Sequence, residues 1–358
     1  MTKNLIIKTF FRIGVIPKKM SYPYQYDDYV VSSKDDLKIK LAEHGVAIVP
    51  NVLNEEECAK LREGMWSDIE YITQNCDNPI KKDDETTRRS WYDLYPKHSM
   101  LIQNFQFGHT QTVWDIRQNP KVIQPFCDIW DTAPRDMLCS FDGISFHIPP
   151  EKTRRGWFRN NWLHTDQSYL RNDFECVQGW VTGEDVEEGD ATLTFLKNSH
   201  NFHKWAADKF NLKDKADWIK LTPEMYEAYT KEKGCHQECI KCPKGSLVLW
   251  DSRLVHCGKD PDKGRTNQNT RYIVYVCMTP RSLSTEPNLK KKRKAFEDLR
   301  MTTHWPHKPK LFPVNPRTYG GPIPNVTSIV PPILTEQGRR LAGYNDDTFN
   351  VKLKINIS

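Results

Sequence analysis

The spacing of apolar residues changes character along this 358-residue chain. Val46-Ala47-Ile48-Val49, set between Gly45 and Pro50, has the form of a short buried strand. Asn54 followed by Glu57 predicts a capping box that opens a helix. Cys58, Leu61, Met65 and Ile69 then recur at helical spacing and make one core-facing stripe, ending near Ile72. Residues 73–100 are polar and turn-rich. A second helical stretch is expected over 111–130, interrupted near Pro120.

From Leu138 the pattern becomes short β-rich runs, at 138–148, 157–163, 176–184, 191–196, 246–250 and 271–278, separated by Gly, Pro and charged turns. Several short strands joined by turns predict a mainly β, jelly-roll core with flanking helices. A charged insertion at about 199–235, carrying Trp205, Phe210, Trp218 and Met225, reads as helical. After Pro280 the chain is basic and Pro-rich, with a short helix expected over 290–301. We read an N-terminal arm (1–45), one elaborated domain (46–280) and a C-terminal extension (281–358) that wraps the core.

Composition narrows the class. Hydrophobic residues are 38% and charged residues 27%, the balance of a folded globular protein. No apolar run is long enough to span a membrane. Net charge is +6, below what a dedicated nucleic-acid binder carries. Lys290 to Lys294 form a basic run, read as a solvated helix start, with polyanion binding as the alternative. The first 19 residues lack a clean apolar secretory core, so an intracellular, cytoplasmic setting is expected, with nuclear or mitochondrial destinations open. Cys235, His236, Cys239 and Cys242 lack a second paired knuckle, so reduced cysteines are expected there rather than zinc.

The candidate chemistry begins at His164-Thr165-Asp166. In a strand, positions i and i+2 share a face, so an imidazole and a carboxylate aim at one point. His256 follows a predicted strand and turn, Leu247 to Val255. Two histidines and one carboxylate on one face of a metal leave its other positions open, the arrangement of non-haem iron(II) oxygenases. Arg271 opens an apolar strand, where a guanidinium needs an anion, and the distal carboxylate of 2-oxoglutarate fits that need. Arg265, in the polar loop 262–269, is the competing candidate. His200 and His203 read as structural, and His147 as a hydrogen-bonded core residue.

The segments around these residues resemble the phytanoyl-CoA dioxygenase family. They are His164-Thr165-Asp166-Gln167-Ser168-Tyr169, Gly179-Trp180-Val181-Thr182, Asp185 to Asp190, Ser199-His200 and Gly245 to His256. The resemblance covers about 46–278. It implies a double-stranded β-helix, iron(II) held by His164, Asp166 and His256, and 2-oxoglutarate on Arg271, with Gln167, Trp180 and Thr182 as further co-substrate contacts. Trp157, Arg159, Asn161 and Tyr169 are candidates for the substrate side of the pocket, with ordinary sheet packing the alternative for each. In related halogenases a small residue replaces the metal-binding carboxylate. The presence of Asp166 therefore implies hydroxylation or another oxidation, and the expected reaction is hydroxylation of an unactivated C–H of a small organic substrate by O₂, with release of succinate and CO₂. The alternatives are an oxygenase acting on a protein side chain or nucleic acid, and a non-catalytic binding protein of the same fold.

Overall fold

The computed structural model describes residues 22–157 and 161–345. Chain order begins with β1 (Tyr24–Gln25), α1 (Lys34–His44), β2 (Val46–Val49) and α2 (Glu55–Thr73). Then come β3 (Leu101–Ile102), α3 (Gln111–Arg117), α4 (Pro120–Trp130), β4 (Met137–Cys139), β5 (Ile144–His147), α5 (Pro150–Thr153) and β6 (His164–Thr165). The middle of the chain holds β7 (Val177–Thr182), β8 (Thr192–Leu196), α6 (His203–Lys209), β9 (Ile219–Lys220), α7 (Pro223–Glu232) and β10 (Gln237–Ile240). Last are β11 (Leu247–Asp251), β12 (His256–Lys259), β13 (Arg271–Pro280), α8 (Glu286–Glu297) and α9 (Glu336–Leu341).

Two sheets form the core. One runs β2-β11-β7-β13-β5-β3, with β4 on β13; the other runs β1-β10-β8-β12-β6-β9. Strands alternate between the sheets from β5 to β8 and again from β10 to β13, with β5, β7, β11 and β13 in the first and β6, β8, β10 and β12 in the second; β9, from the insertion, adds to the edge of the second. That is the jelly-roll winding expected from the strand pattern.

Strand periodicity sorts the side chains of the first sheet. Tyr272, Val274, Val276 and Met278 of β13 pack outward with the helices, alongside Leu61 and Met65 of α2. Arg271, Ile273 and Tyr275 point the other way, into the space between the sheets, with Trp180, Val248 and Trp250. The capping box at Asn54 and Glu57 is present in both directions, and α2 ends at Thr73 as expected. The second helical stretch breaks into α3 and α4, with Asn119 capping α4 and Pro120 at its first turn.

Three expectations change. Residues 161–163 are not strand, because Asn161 Oδ1 accepts from the Leu163 amide and holds a local turn. The insertion is helical in a short 3-10 turn at Ser199–Phe202 and in α6 and α7, and between these two helices β9 pairs with β6. The basic run is not fully solvated. It lies within α8, and Lys292 is 1% exposed, its Nζ donating to the Cys139 carbonyl over the Phe141 ring. Cys235, Cys239 and Cys242 are buried free thiols, and His236 bonds Glu238.

Burial pushes the Lys292 ammonium down from 10.5 to about 7. Between those values the unfolded chain holds a proton that the folded chain has released. Stability therefore rises with pH from about 7 towards 10, and the charged amine costs stability below that window. Lys292→Met should flatten this rise, a difference on the order of a few kcal/mol between pH 7 and pH 9.5 in urea unfolding. Parallel pH profiles in the two proteins would show that Lys292 is not the source.

Candidate active site

His164 reaches the inter-sheet space from β6, and Asp166 follows as the strand bends away. His256 opens β12, which pairs directly with β6 at His256 and His164. That register brings two histidines distant in sequence side by side, with ring centroids 4.6 Å apart. Asp166 Oδ2 lies 3.5 Å from His164 Nε2 and 3.4 Å from His256 Nε2. One donor atom from each residue falls within 4.8 Å of the others, and all three residues are buried. Among the described residues no other group of His, Cys, Asp or Glu side chains is arranged to hold a metal.

Backbone carbonyls set the orientation of both imidazoles. His164 Nδ1 lies 3.0 Å from the Trp162 carbonyl, and His256 Nδ1 lies 2.9 Å from the Leu254 carbonyl. A carbonyl only accepts, so each Nδ1 carries a proton; Nε2 of His256 accepts from Trp250 Nε1 at 3.1 Å, and Nε2 of His164 faces Asp166 Oδ2. Gln178 Nε2 donates to Asp166 Oδ2 at 2.9 Å, and the Asp166 amide donates to the Ser252 carbonyl. Burial raises the Asp166 carboxyl, but the charges of His164 and His304 outweigh it and hold the group well below the ordinary carboxylate range. Burial lowers His164. The set offers one anionic oxygen beside two imidazole nitrogens, and a divalent cation would bind it with both Nε2 atoms unprotonated.

The triad opens onto a cavity of about 520 Å³. Its walls include Trp162, Trp180, Trp218, Trp250, Tyr275 and Arg271. Arg271 is buried, stacked 5.4 Å from the Trp180 ring, and donates to Ser145 Oγ and the Ala191 carbonyl. Among the described residues no carboxylate lies within ion-pair distance of it. Arg265 differs: its guanidinium pairs with Asp190 at 3.2 Å and Glu151 at 3.3 Å, outside the cavity wall.

Several sequence expectations are corrected here. Gln167 is fully buried and donates to the carbonyls of Arg171 and Asp173, so it braces a loop rather than facing the cavity. Thr182 Oγ1 donates to the Glu184 carbonyl and closes the turn after β7. Tyr169 is a core residue, stacked on His203 and within 3.3 Å of the Tyr229 hydroxyl. Trp157 sits away from the cavity under Lys263. Asn161 is spent on its turn, and Arg159 lies outside the described residues. Of these residues only Trp180 lines the cavity. His147, His200 and His203 take no part in the metal group; His200 Nε2 meets the Ala42 carbonyl.

Other wall residues were not singled out from sequence. Trp218, 51% exposed, stands 5.5 Å from the His164 ring, and His98 stacks on Trp162 at 3.8 Å. His98 and Trp218 reach the wall from a loop and from the insertion, with no local motif to mark them. Gln178 could have been found, because it shares the inner face of β7 with Trp180.

A family model described as phytanoyl-CoA dioxygenase (PhyH) matches residues 41–261, more than half of the chain. Ava biosynthesis cluster protein O of Aspergillus versicolor is 28% identical over 236 residues, covering 63% of this chain and 73% of that protein. Among solved structures, the non-haem α-ketoglutarate-dependent epimerase SnoN from nogalamycin biosynthesis aligns at 13% identity. Its TM-score is 0.41, with 69% of this chain and 82% of SnoN covered. GlcNAc Inducible Gene 2 of Candida albicans aligns at 14% identity and TM-score 0.48, covering 76% of this chain and 68% of that one.

Proposed function

The chain belongs to the phytanoyl-CoA dioxygenase family, and on that premise we propose that it is an iron(II)- and 2-oxoglutarate-dependent enzyme that hydroxylates a small organic substrate. The observation that carries this reading is the convergence of His164 Nε2, His256 Nε2 and Asp166 Oδ2 on one point at the cavity wall. Two imidazoles and a carboxylate with open positions form a donor set that suits iron(II). Bound there with 2-oxoglutarate, the metal supplies an oxidant made from O₂, so that R–H, O₂ and 2-oxoglutarate become R–OH, succinate and CO₂.

The residues of this chain supply geometry. His164, Asp166 and His256 hold the metal, and Gln178 fixes the carboxylate oxygen that faces it. Arg271, with Trp180 against its guanidinium plane, takes the distal carboxylate of the co-substrate in two-point contact. Trp162, Trp218 and Trp250 keep the site apolar and limit water. The name of the fungal relative, a biosynthesis cluster protein, supports a small organic molecule as substrate.

A direct test follows succinate release from 2-oxoglutarate over a substrate panel, with iron measured in the same sample. A protein that takes up neither iron nor 2-oxoglutarate is instead a non-catalytic member of the fold. Gln178→Leu should weaken metal binding by roughly 10–100-fold in an iron(II) titration, because the carboxylate loses the group that orients it. Unchanged affinity would mean that Asp166 is held by its backbone alone.

A further inference from the structure

One polar group on the cavity wall has no part in the chemistry above. Asp142 immediately precedes β5 and is 8% exposed. Its Oδ1 accepts from the Gly143 amide at 2.7 Å and from Gln103 Nε2 at 3.2 Å. Among the described residues its Oδ2 has no hydrogen-bond partner, and no Lys, Arg or His lies within ion-pair distance. That oxygen is not sealed among protein atoms but opens on the cavity, where water or a ligand hydroxyl can supply the missing donor. Its position is fixed from behind: a Cβ at Gly143 would come within 1.9 Å of the Ile102 carbonyl oxygen, so only glycine lets β5 approach β3 there.

The charge around Asp142 bears on what that ligand is. Arg117, fully buried, donates to the main-chain carbonyls of Asp142, Gly108 and Tyr275 and has no carboxylate partner among the described residues. Its charge already offsets that of Asp142. Lys97, which donates to Gln103 Oε1, joins Lys220 and Lys310 among the cavity-lining residues. A cationic ligand would meet these charges, whereas a neutral hydroxyl needs only the free lone pair. The remaining walls are largely aromatic, including Trp162, Trp218, Trp305 and Phe312.

We infer that Asp142 accepts a hydrogen bond from a substrate hydroxyl, and that the substrate class is an uncharged, largely apolar alcohol or phenol. This rests on the reading of the cavity as the oxygenase site. It adds a recognition residue that selects what is held beside the metal.

The test uses full-length protein loaded with redox-inert Zn(II) and 2-oxoglutarate. The probes are 1-naphthol, 1-methoxynaphthalene and 1-naphthylmethylammonium, with Kd read by calorimetry. The naphthol should bind roughly 10–100-fold more tightly than the ether. Asp142→Leu should reduce the naphthol to the level of the ether. Asp142→Asn is the gentler variant: its oxygen stays on the Gly143 amide, its NH₂ faces the cavity, and the alcohol and ether should bind alike. Equal binding of alcohol and ether by the unaltered protein would overturn the inference. So would a preference for the ammonium probe, or an alcohol preference that survives in both variants. The affinity for 2-oxoglutarate, measured on the same samples, should not change between variants. If Zn(II) and 2-oxoglutarate fail to bind at all, the oxygenase reading fails, while the Asp142-dependent preference for a hydroxyl can still be read.

Discussion

His164→Ala, Asp166→Ala and His256→Ala should each abolish conversion of 2-oxoglutarate to succinate, a loss of at least ~10³-fold, with a parallel loss of bound iron. The three donor atoms lie within 4.8 Å of one another, and among the described residues no other side chain is placed to join them. Removing one leaves two donors, and the neighbouring His304 offers no replacement because its Nε2 is 3.2 Å from the Asp166 carbonyl. Asp166→Ala also removes the negative charge that balances the cation, and leaves Gln178 Nε2 without its acceptor. Metal content by mass spectrometry and succinate by chromatography, on folded variants, check this. Turnover that persisted in both the His164 and Asp166 variants would refute the triad.

Arg271→Leu should raise the 2-oxoglutarate concentration needed for half-maximal turnover by about 100-fold or more, while iron binding stays intact. Two charge-assisted hydrogen bonds to a carboxylate in a buried site set that scale. Arg271 is buried without an acidic partner and its one strong stack is on Trp180, so its charge is free to meet an anion in the cavity. Arg265→Leu provides the contrast. It strips Asp190 and Glu151 of their cation and should lower stability by roughly 3–5 kcal/mol, because a buried charge is left uncompensated. Its effect on the affinity for 2-oxoglutarate should be small. Should Arg265→Leu shift that affinity and Arg271→Leu leave it alone, the two assignments would have to be exchanged.

The jelly-roll core was legible from the sequence because its strands carry a period-2 pattern with branched and aromatic residues. β13 shows why: Tyr272, Val274 and Val276 face one layer, while Arg271, Ile273 and Tyr275 face the other. The capped helix α2 was legible for the same local reason, a side chain and a backbone amide three residues apart. The turn at Asn161 was not recognised, since an apolar run containing Trp162 and Leu163 hides an Asn that competes for the backbone. The burial of Lys292 was hidden too, because charge runs are usually solvated and only the packing of α8 over β4 takes this amine out of water.

Gln167, Thr182 and Tyr169 were drawn towards the site by their nearness in sequence to His164, Asp166 and Trp180. Their side chains turn instead into loop carbonyls and the core of the insertion. Trp218 and His98, from distant segments, take the places beside His164.

By itself, the sequence determined which elements form and which residue types could bind a metal, because periodicity, capping and ligand chemistry act over a few residues. Only the tertiary structure decided the pairing of His164 with His256, the choice of Arg271 over Arg265 as the arginine facing the cavity, and the set of side chains that line it. Those depend on strand register between segments far apart in the chain, and on which buried charge already has a partner.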